Sequence, residues 1–312
     1  MNFADRIIAE SQKKGAPICV ALDTRLDRLP SFLQKKWRKQ EGRTFTAAAE
    51  AILEFNKHII DAVCDYAIAV KISPSFYEVF ASEGIYAYRE TIKYAQKKGL
   101  LVISDLRISV FGPMAESAAA AHLGMVNLFG ELTTSLGTDA VVLNAFLGFD
   151  SIEPFIDKAE HYKKGIFVVM HTDNLGANDI QEIPISERRG SGRNEKLYER
   201  IGELIETWGH SSIGNNNYSS IGAVIGASYA QPIDKLREMM PHALFLITDY
   251  SRVTDKEVLH KFFDGNGQGG IISIAQSIIY AYDVNDTPEE KYAEAARDAI
   301  KKIFDEVRFI AN

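Results

Sequence analysis

The sequence is poor in cysteine, and it lacks both a long apolar run and an excess of positive charge. Its 312 residues include two cysteines, Cys19 and Cys64, each inside an apolar run. Two reduced thiols are therefore expected rather than a disulfide or a metal pair. No run approaches the roughly 18 apolar residues of a membrane span. The net charge of −7 argues against general binding to nucleic acid or to an anionic membrane.

The first residues also lack the features of a targeting segment. Residues 1–6 contain no basic stretch followed by an apolar core and a small-residue cleavage site. With 46% hydrophobic and 25% charged residues, the composition is that of an ordinary globular protein. These observations predict a cytoplasmic protein whose partner is a small molecule.

What the sequence does contain is a regular alternation of short apolar runs and longer segments with helical spacing. The apolar runs cover residues 18–23, 67–71, 100–105, 140–144, 166–172, 221–227, 244–249 and 270–274. The helical segments include residues 45–63, 85–98, 152–162, 197–208, 232–239 and 288–310. This order is typical of a parallel sheet built from βα units. The pattern predicts an α/β protein with a (β/α)₈ TIM-barrel fold, although an open doubly wound sheet would look much the same.

No repeat, linker or low-complexity tract divides the chain, so we expect a single domain over residues 1–312 with insertions near 25–45 and 183–194. The first insertion carries Lys35, Lys36, Arg38 and Lys39. We interpret it as a solvated helical face, with an anion-binding patch as the alternative. The second carries Arg188, Arg189 and Arg193. It is equally consistent with a lid over the barrel mouth and with a surface loop.

The third apolar run ends in two charged residues, Asp105 and Arg107. Residues i and i+2 of a strand point to the same face, so these side chains are expected to share one side of the strand. They would lie at its C-terminal end, where α/β barrels carry their catalytic groups. An ion pair that caps a strand at the surface is the alternative.

Other runs also end in polar residues. They are Asp23, Lys71, Asn144, His171, Thr172, Asp173, Asp249 and Arg252. Several of these residue types also serve as caps or turn residues. Lys71 differs, because a lysine at the end of a buried strand needs a carboxylate beside it. Asp23 and Asp105 are the candidate partners.

These residues and their surroundings resemble the orotidine 5'-phosphate decarboxylase family, in its longer-chain subgroup, over nearly the whole chain. The matching segments are, in order, Ala21–Arg25 with Leu29 and Pro30, Val70 and Lys71 with Phe76–Glu78, Leu143–Gly148 with Asp150–Phe155, Asn174–Gln181, Val224–Ala227, and Phe263 and Asp264 followed by Gly269, Gly270 and Ile278–Tyr282. The resemblance implies a (β/α)₈ barrel that forms a homodimer, with each active site at the interface and without a cofactor.

The chain departs from the family at the catalytic motif. The family's third strand carries Asp-x-Lys-x-x-Asp, whose lysine protonates the carbanion left by CO₂ and whose last aspartate comes from the partner subunit. Here Asp105 matches the first aspartate, whereas Arg107 and Val110 replace the other two residues. Arginine stays protonated and is a poor general acid, although its planar fork holds a carboxylate well.

The positions that the resemblance assigns to phosphate binding differ too. Thr248–Asp255 replaces a glycine-rich turn, and Gln276 replaces an arginine. Glycine lets backbone amides approach a phosphate, whereas Asp249 repels a dianion. Arg252 offers partial compensation at most. The Gly265–Gly270 segment is interpreted as the turn into strand eight rather than as a phosphate loop.

We therefore predict a divergent family member with a re-shaped site. The expected activity is that of a carbon–carbon lyase of the decarboxylase type, acting on a carboxylated nucleoside-like or other small metabolite without the usual 5'-phosphate. The catalytic candidates are Lys71, Asp105, Arg107 and His171, with Lys71 or His171 as proton donor. The candidate substrate-binding residues are Asp23, Asn144, Thr172, Asp173, Asp249, Arg252 and Gln276.

Four alternatives stay open. Lys71 could act as a Schiff-base nucleophile, although nearby carboxylates raise the pKa of a lysine. His171 and Asp173, with Asp249 or Asp105, could hold a divalent metal, but hydrogen-bonded pocket groups are favoured and no metal is expected. The protein could instead be a pseudoenzyme that keeps the barrel for binding or scaffolding. It could also be a true orotidine 5'-phosphate decarboxylase with rearranged catalytic groups.

Overall fold

Eight parallel strands close into a barrel in the computed structural model, which describes residues 1–185, 195–229, 232–252 and 256–308. The strands are β1 (Ile18–Ala21), β2 (Ala69–Ile72), β3 (Leu101–Ile108), β4 (Ala140–Leu143), β5 (Gly165–His171), β6 (Ile221–Gly226), β7 (Phe245–Thr248) and β8 (Gly270–Ile274). Each pairs with the next in chain order, and β8 pairs with β1. The predicted (β/α)₈ barrel is confirmed, and each strand overlaps the apolar run that predicted it.

The helices cover the segments between the strands and both ends of the chain. They are α1 (Phe3–Lys14), α2 (Ser31–Glu41), α3 (Phe45–Val63), α4 (Ser75–Glu78), α5 (Ala81–Lys97), α6 (Pro113–His122), α7 (Glu153–Tyr162), α8 (Leu197–Gly209), α9 (Ile233–Met239), α10 (Gln276–Ile279), α11 (Ala281–Val284) and α12 (Tyr292–Val307). All six predicted helical segments are present. The sequence patterns did not predict α1, α4, α6, α10 or α11.

The chain divides into two compact units. One consists of Met1–Ile8, Arg107–Ser135 and Ala140–Ile272 and is called the first unit below. The other, the second unit, consists of Ala9–Leu106, Leu136–Asp139 and Ser273–Asn312.

Each unit has its own aromatic core. In the first unit the rings of Phe3 and Phe167 meet edge to face with their centroids 6.0 Å apart. In the second unit the ring of Phe55 stacks on Tyr292 at 5.0 Å and on Tyr280 at 6.0 Å. Every residue of β1, β2 and β8 is buried, as expected for barrel strands with both faces covered.

The first insertion is helical, as predicted. Within it, α2 packs against α3, and both Lys36 Nζ and Trp37 Nε1 donate to the Glu54 carboxylate at 2.6 Å. At the second insertion, Pro184–Ile185 pairs antiparallel with Glu195–Lys196, which follows the predicted end of the insertion. The predicted basic residues Arg188, Arg189 and Arg193 lie outside the described residues.

A second antiparallel hairpin was not predicted. It joins Val126–Leu128 to Glu131–Thr133, with Leu128 opposite Glu131. The two turn residues, Phe129 and Gly130, have φ of +55° and +102°.

Cys19 is buried, Cys64 is half-buried, and both thiols are free. In the part of the chain that the structure describes, no helix is both long enough and apolar enough to cross a bilayer.

Candidate active site

A buried ion pair joins two neighbouring strands of the second unit. Nζ of Lys71 in β2 lies 2.5 Å from Oδ2 of Asp105 in β3, and the two side chains are 8% and 6% exposed. The parallel register sets Lys71 beside Ile103, so Asp105 lies two residues further towards the C-terminal end of β3. Of the two carboxylates predicted as partners of Lys71, the structure places Asp105 in contact. Asp23 is half-buried and follows the end of β1 by two residues.

Two titratable groups near this pair, Cys19 and Tyr88, are favoured in their neutral forms. Burial raises the pKa of the Cys19 thiol to about 12, and the charges of Asp105 and Asp23 act in the same direction. Burial likewise raises the pKa of Tyr88, whose hydroxyl lies 2.5 Å from Ser104 Oγ. Burial therefore keeps the Cys19 thiol and the Tyr88 hydroxyl protonated near neutral pH.

Arg107 departs from the strand geometry on which its prediction was based. Its φ is +49°, in the left-handed region, and its side chain is exposed, whereas Asp105 is buried. Strict alternation of side chains requires extended backbone at each residue. The backbone at Arg107 therefore does not support the prediction that Arg107 and Asp105 point to the same face of β3. Val110 is half-buried.

In the first unit, the last residue of β5 belongs to a hydrogen-bonded network. His171 is 1% exposed, and its Nε2 lies 2.9 Å from Glu182 Oε1. The second oxygen of Glu182 accepts from Lys196 Nζ at 2.5 Å. Burial lowers the pKa of His171, although Glu182 raises it. The imidazole is neutral near pH 7, which makes it a weaker candidate for the proton donor than Lys71.

Two carboxylates follow β5 and β7 in the same unit. Burial raises the pKa of Asp173, and the negative charge of Asp249 raises it further, while a hydrogen bond from Ser228 lowers it. Gly226 makes room for this carboxylate, because a Cβ there would lie 2.2 Å from Asp173 Oδ2. Arg252 donates from Nη1 to the Asp173 backbone carbonyl at 2.8 Å. The Arg252 guanidinium is thus hydrogen-bonded to the backbone of Asp173, the first residue of the acidic pair Asp173 and Asp249.

Two further candidates make local hydrogen bonds of the kind found in turns. The Thr172 amide donates to Gln181 Oε1 at 2.8 Å, and Gln181 Nε2 donates to Thr172 Oγ1 at 2.9 Å. Asn144 Oδ1 accepts from the Phe146 amide at 3.0 Å. Side-chain bonds of this type hold turns in shape.

Gln276, at the start of α10 in the second unit, binds an arginine that the sequence patterns did not reveal. Its Oε1 accepts from Arg28 Nη1 at 2.9 Å, and Arg28 Nη2 donates to Asp283 Oδ2 at 2.8 Å. The guanidinium carbon lies 4.0 Å from the centroid of the Tyr280 ring. No motif spacing connects Arg28 with Gln276, because 248 positions separate them. Glu182, Lys196 and Ser228 were missed as well, because no motif spacing links them to His171 or Asp173.

The metal-site alternative lacks geometric support. Among the described residues, no group of three or more histidine, cysteine, aspartate or glutamate side chains gathers as a metal site would require. The polar residues near His171 and Asp173 are instead engaged with one another and with Lys196, Ser228 and Arg252.

A closed βα barrel with a buried lysine–aspartate pair towards its strand ends belongs to the class of α/β barrels, whose enzymes carry their reacting groups at that end. Residues 16–256 match the orotidine 5'-phosphate decarboxylase / HUMPS family. The chain belongs to this family, as its sequence segments predicted.

Individual relatives agree with this assignment. The chain is 32% identical over 297 residues to the orotidine 5'-phosphate decarboxylase of Clostridium botulinum strain Kyoto, with 95% of each chain covered. It is 31% identical over 283 residues to that of Caldicellulosiruptor saccharolyticus, with 90% of each covered. The structure of Leishmania donovani OMP decarboxylase superposes with a TM-score of 0.74 at 24% identity, covering 100% of this chain and 99% of the other. That likeness concerns the fold.

Proposed function

We propose that this protein is a decarboxylase-type carbon–carbon lyase whose substrate is a small carboxylated, nucleoside-like molecule without a 5'-phosphate. The buried Lys71–Asp105 pair, in a chain of the orotidine 5'-phosphate decarboxylase family, is the observation that carries the proposal. A positioned ammonium group next to a buried carboxylate supplies the two functions that a decarboxylation needs, a proton source and a charge that disfavours the substrate carboxylate.

The reaction follows from these two groups. The bond between the substrate carbon and its carboxylate breaks, CO₂ leaves, and the electron pair stays on carbon. That carbon takes a proton from the Lys71 ammonium, which regains one from water. Asp105 holds Lys71 in position through the 2.5 Å contact, and its negative charge repels the substrate carboxylate until CO₂ departs. The balance is one carboxylate and one proton consumed, and one C–H bond and one CO₂ formed.

The absence of a phosphate from the proposed substrate is supported by the acidic pair of the first unit. Asp173 and Asp249 stand next to each other after β5 and β7, and their charges act on each other. A phosphate dianion close to two carboxylates is repelled, whereas glycine amides would attract it. In the second unit, Gln276 is neutral and already accepts a bond from Arg28.

Arg107 is proposed to hold an anionic oxygen, because its guanidinium is permanently charged and its side chain is exposed. The remaining polar residues at the strand ends are candidates for contacts to substrate. We further expect a homodimer in the cytoplasm, as the family resemblance and the composition predict.

The test is a substrate panel with matched variants. Orotidine 5'-phosphate, orotidine and other carboxylated nucleosides are incubated with the protein, and CO₂ release is measured. We expect a phosphate-free substrate to react faster than orotidine 5'-phosphate. Lys71→Met and Asp105→Asn should each lower kcat at least about 100-fold. Lys98→Met should leave it unchanged, because Lys98 pairs with Asp61 at 2.6 Å on the surface.

Two outcomes contradict the proposal in different ways. Fast turnover of orotidine 5'-phosphate that disappears in Asp105→Asn would show that the family reaction persists and that the substrate is wrong. Binding of a nucleoside without turnover of any panel member would make the protein a binding module that keeps the barrel.

A further inference from the structure

A cavity of about 460 Å³ lies in the second unit, between α2 and the first turns of α3. Its volume falls within the range of about 300–1,000 Å³ found for small-molecule pockets. Ala47, Ala48 and Ala51 of α3 line one wall, and the rings of Phe45 and Phe80 line others. The three alanines leave a space that larger side chains would fill, so the cavity is encoded by the small residues of α3.

The charged residues that line this cavity are Lys35, Arg38 and Arg43, all of them exposed. No carboxylate among the described residues lines it. Their neighbour Lys36 differs, since Glu54 neutralises it at 2.6 Å. The cavity therefore combines an apolar interior with a rim of three positive charges.

We infer that this cavity binds a small organic anion, namely a carboxylate carried on an apolar chain, at a place separate from the Lys71–Asp105 pair. The chain packs on the alanines of α3 and on the two phenylalanine rings, which removes apolar surface from water. The carboxylate meets the planar fork of Arg38 and the charges of Lys35 and Arg43. The anion-binding alternative for the first insertion is thus preferred for Lys35 and Arg38. It is not preferred for Lys36.

Calorimetric titration with decanoate tests the inference, with decanol and decyltrimethylammonium as probes of equal chain length and different charge. We expect saturable binding of decanoate that weakens as sodium chloride is added, because ions screen exposed charges. The two other probes should bind at least about 10-fold more weakly, because they lack the anion that the rim recognises. Equal binding of decanoate and decyltrimethylammonium, or no heat with decanoate at millimolar concentration, overturns it.

Two variants locate the site. Arg38→Gln should weaken decanoate binding about 3- to 10-fold, since one charged partner of a carboxylate is lost. Lys39→Gln, which makes the same charge change on α2 but does not line the cavity, should leave binding unchanged. Ala48→Leu fills the cavity and should abolish binding, with its fold checked by circular dichroism. Unchanged affinity in Arg38→Gln contradicts the inference even where Ala48→Leu fails to fold.

Discussion

Two lysine–aspartate pairs in the second unit have similar distances but different surroundings. The Lys71–Asp105 contact is 2.5 Å and the Lys98–Asp61 contact is 2.6 Å, yet the lysine side chains are 8% and 36% exposed. Water and salt screen the exposed pair, whereas the buried charges depend on each other. At the scale of single residues, burial therefore decides which of the two pairs matters more for the stability of the fold.

The first prediction concerns the stability of this pair. Lys71→Met removes the positive charge beside the buried Asp105 carboxylate and should lower the free energy of unfolding by about 3–5 kcal/mol. Lys71→Met/Asp105→Leu removes both charges and should recover much of that loss. Urea denaturation of both variants measures the difference, with Lys98→Met as the exposed control. A single variant as stable as the wild type would contradict a buried, mutually dependent pair.

The second prediction concerns pH. Because the pKa of Asp173 is raised in the folded protein, folding favours its protonated form. Its contribution to stability is complete below the unfolded pKa of about 3.9 and is lost as pH rises through the higher folded pKa. Asp173→Asn should therefore raise the thermal midpoint at pH 7, with the gain disappearing towards pH 4.

Thermal unfolding across this pH range provides the measurement. Asp157→Asn, an exposed carboxylate on α7, serves as the control and should show no such gain. A lower midpoint for Asp173→Asn at pH 7 would show that the carboxylate stabilises the fold instead.

The contacts of single residues also differ in how well they can be predicted from the sequence. The pairing of Lys71 with a carboxylate was predictable, because a lysine ending a buried strand requires one. The bonds of Arg28 to Gln276 and Asp283 were not, since residues this far apart in sequence leave no local trace. Arg107 shows a third case, in which a left-handed backbone interrupts an alternation that the residue types alone suggest.

At the scale of elements, apolar runs predicted every barrel strand, and helical spacing predicted α3, α5, α7, α8, α9 and α12 but missed α1. The hairpin after α6 was not predicted, because its turn lacks the residue types that usually mark a two-residue hairpin turn. Two-residue turns with positive φ favour Asn-Gly, whereas this turn uses Phe129 and Gly130. Helix α6 escaped because Pro113–His122 is rich in alanine and has little apolar periodicity.

The third prediction belongs to the contact between two helices. Gly84 in α5 lies so near α4 that an added Cβ would be 1.8 Å from the Tyr77 carbonyl oxygen. Backbone cannot rotate away as a side chain can, so Gly84→Ala should cost about 3 kcal/mol of unfolding free energy. At Gly265 no atom lies within 4 Å of such a Cβ, and Gly265→Ala is the control. Equal denaturation midpoints for the two variants would contradict tight packing at Gly84.

At the scale of the whole molecule, large apolar side chains remain exposed in the first unit. Phe111, Phe129 and Phe146 are 54%, 107% and 71% exposed. Large apolar side chains that are exposed on a single chain are candidates for burial in a protein interface. It supports the homodimer that the family resemblance predicts.

The fourth prediction is therefore a dimer mass in sedimentation equilibrium, twice the 34.7 kDa of one chain. Phe129→Asp and Phe146→Asp should shift the protein towards monomer, because a charge in an apolar interface is costly. Val284→Asp, at a residue of the second unit that is 71% exposed, should leave the dimer intact. A wild-type protein that is monomeric at micromolar concentration would contradict the prediction.

The fold class was predictable because apolar strand-like runs and helical segments alternate along the whole chain. The hydrogen bonds of Ser228 and Arg252 to Asp173 were not predictable, because only the folded chain brings these residues together. The family assignment lies between these cases, since it rests on many short segments in a fixed order.

Gly226 and Asp173 show how one position limits what its neighbour can become. A Cβ at residue 226 would lie 2.2 Å from Asp173 Oδ2, so a side chain there requires the carboxylate of residue 173 to move. The two positions are therefore coupled, and a residue larger than glycine at 226 is accommodated most easily when residue 173 is made smaller as well.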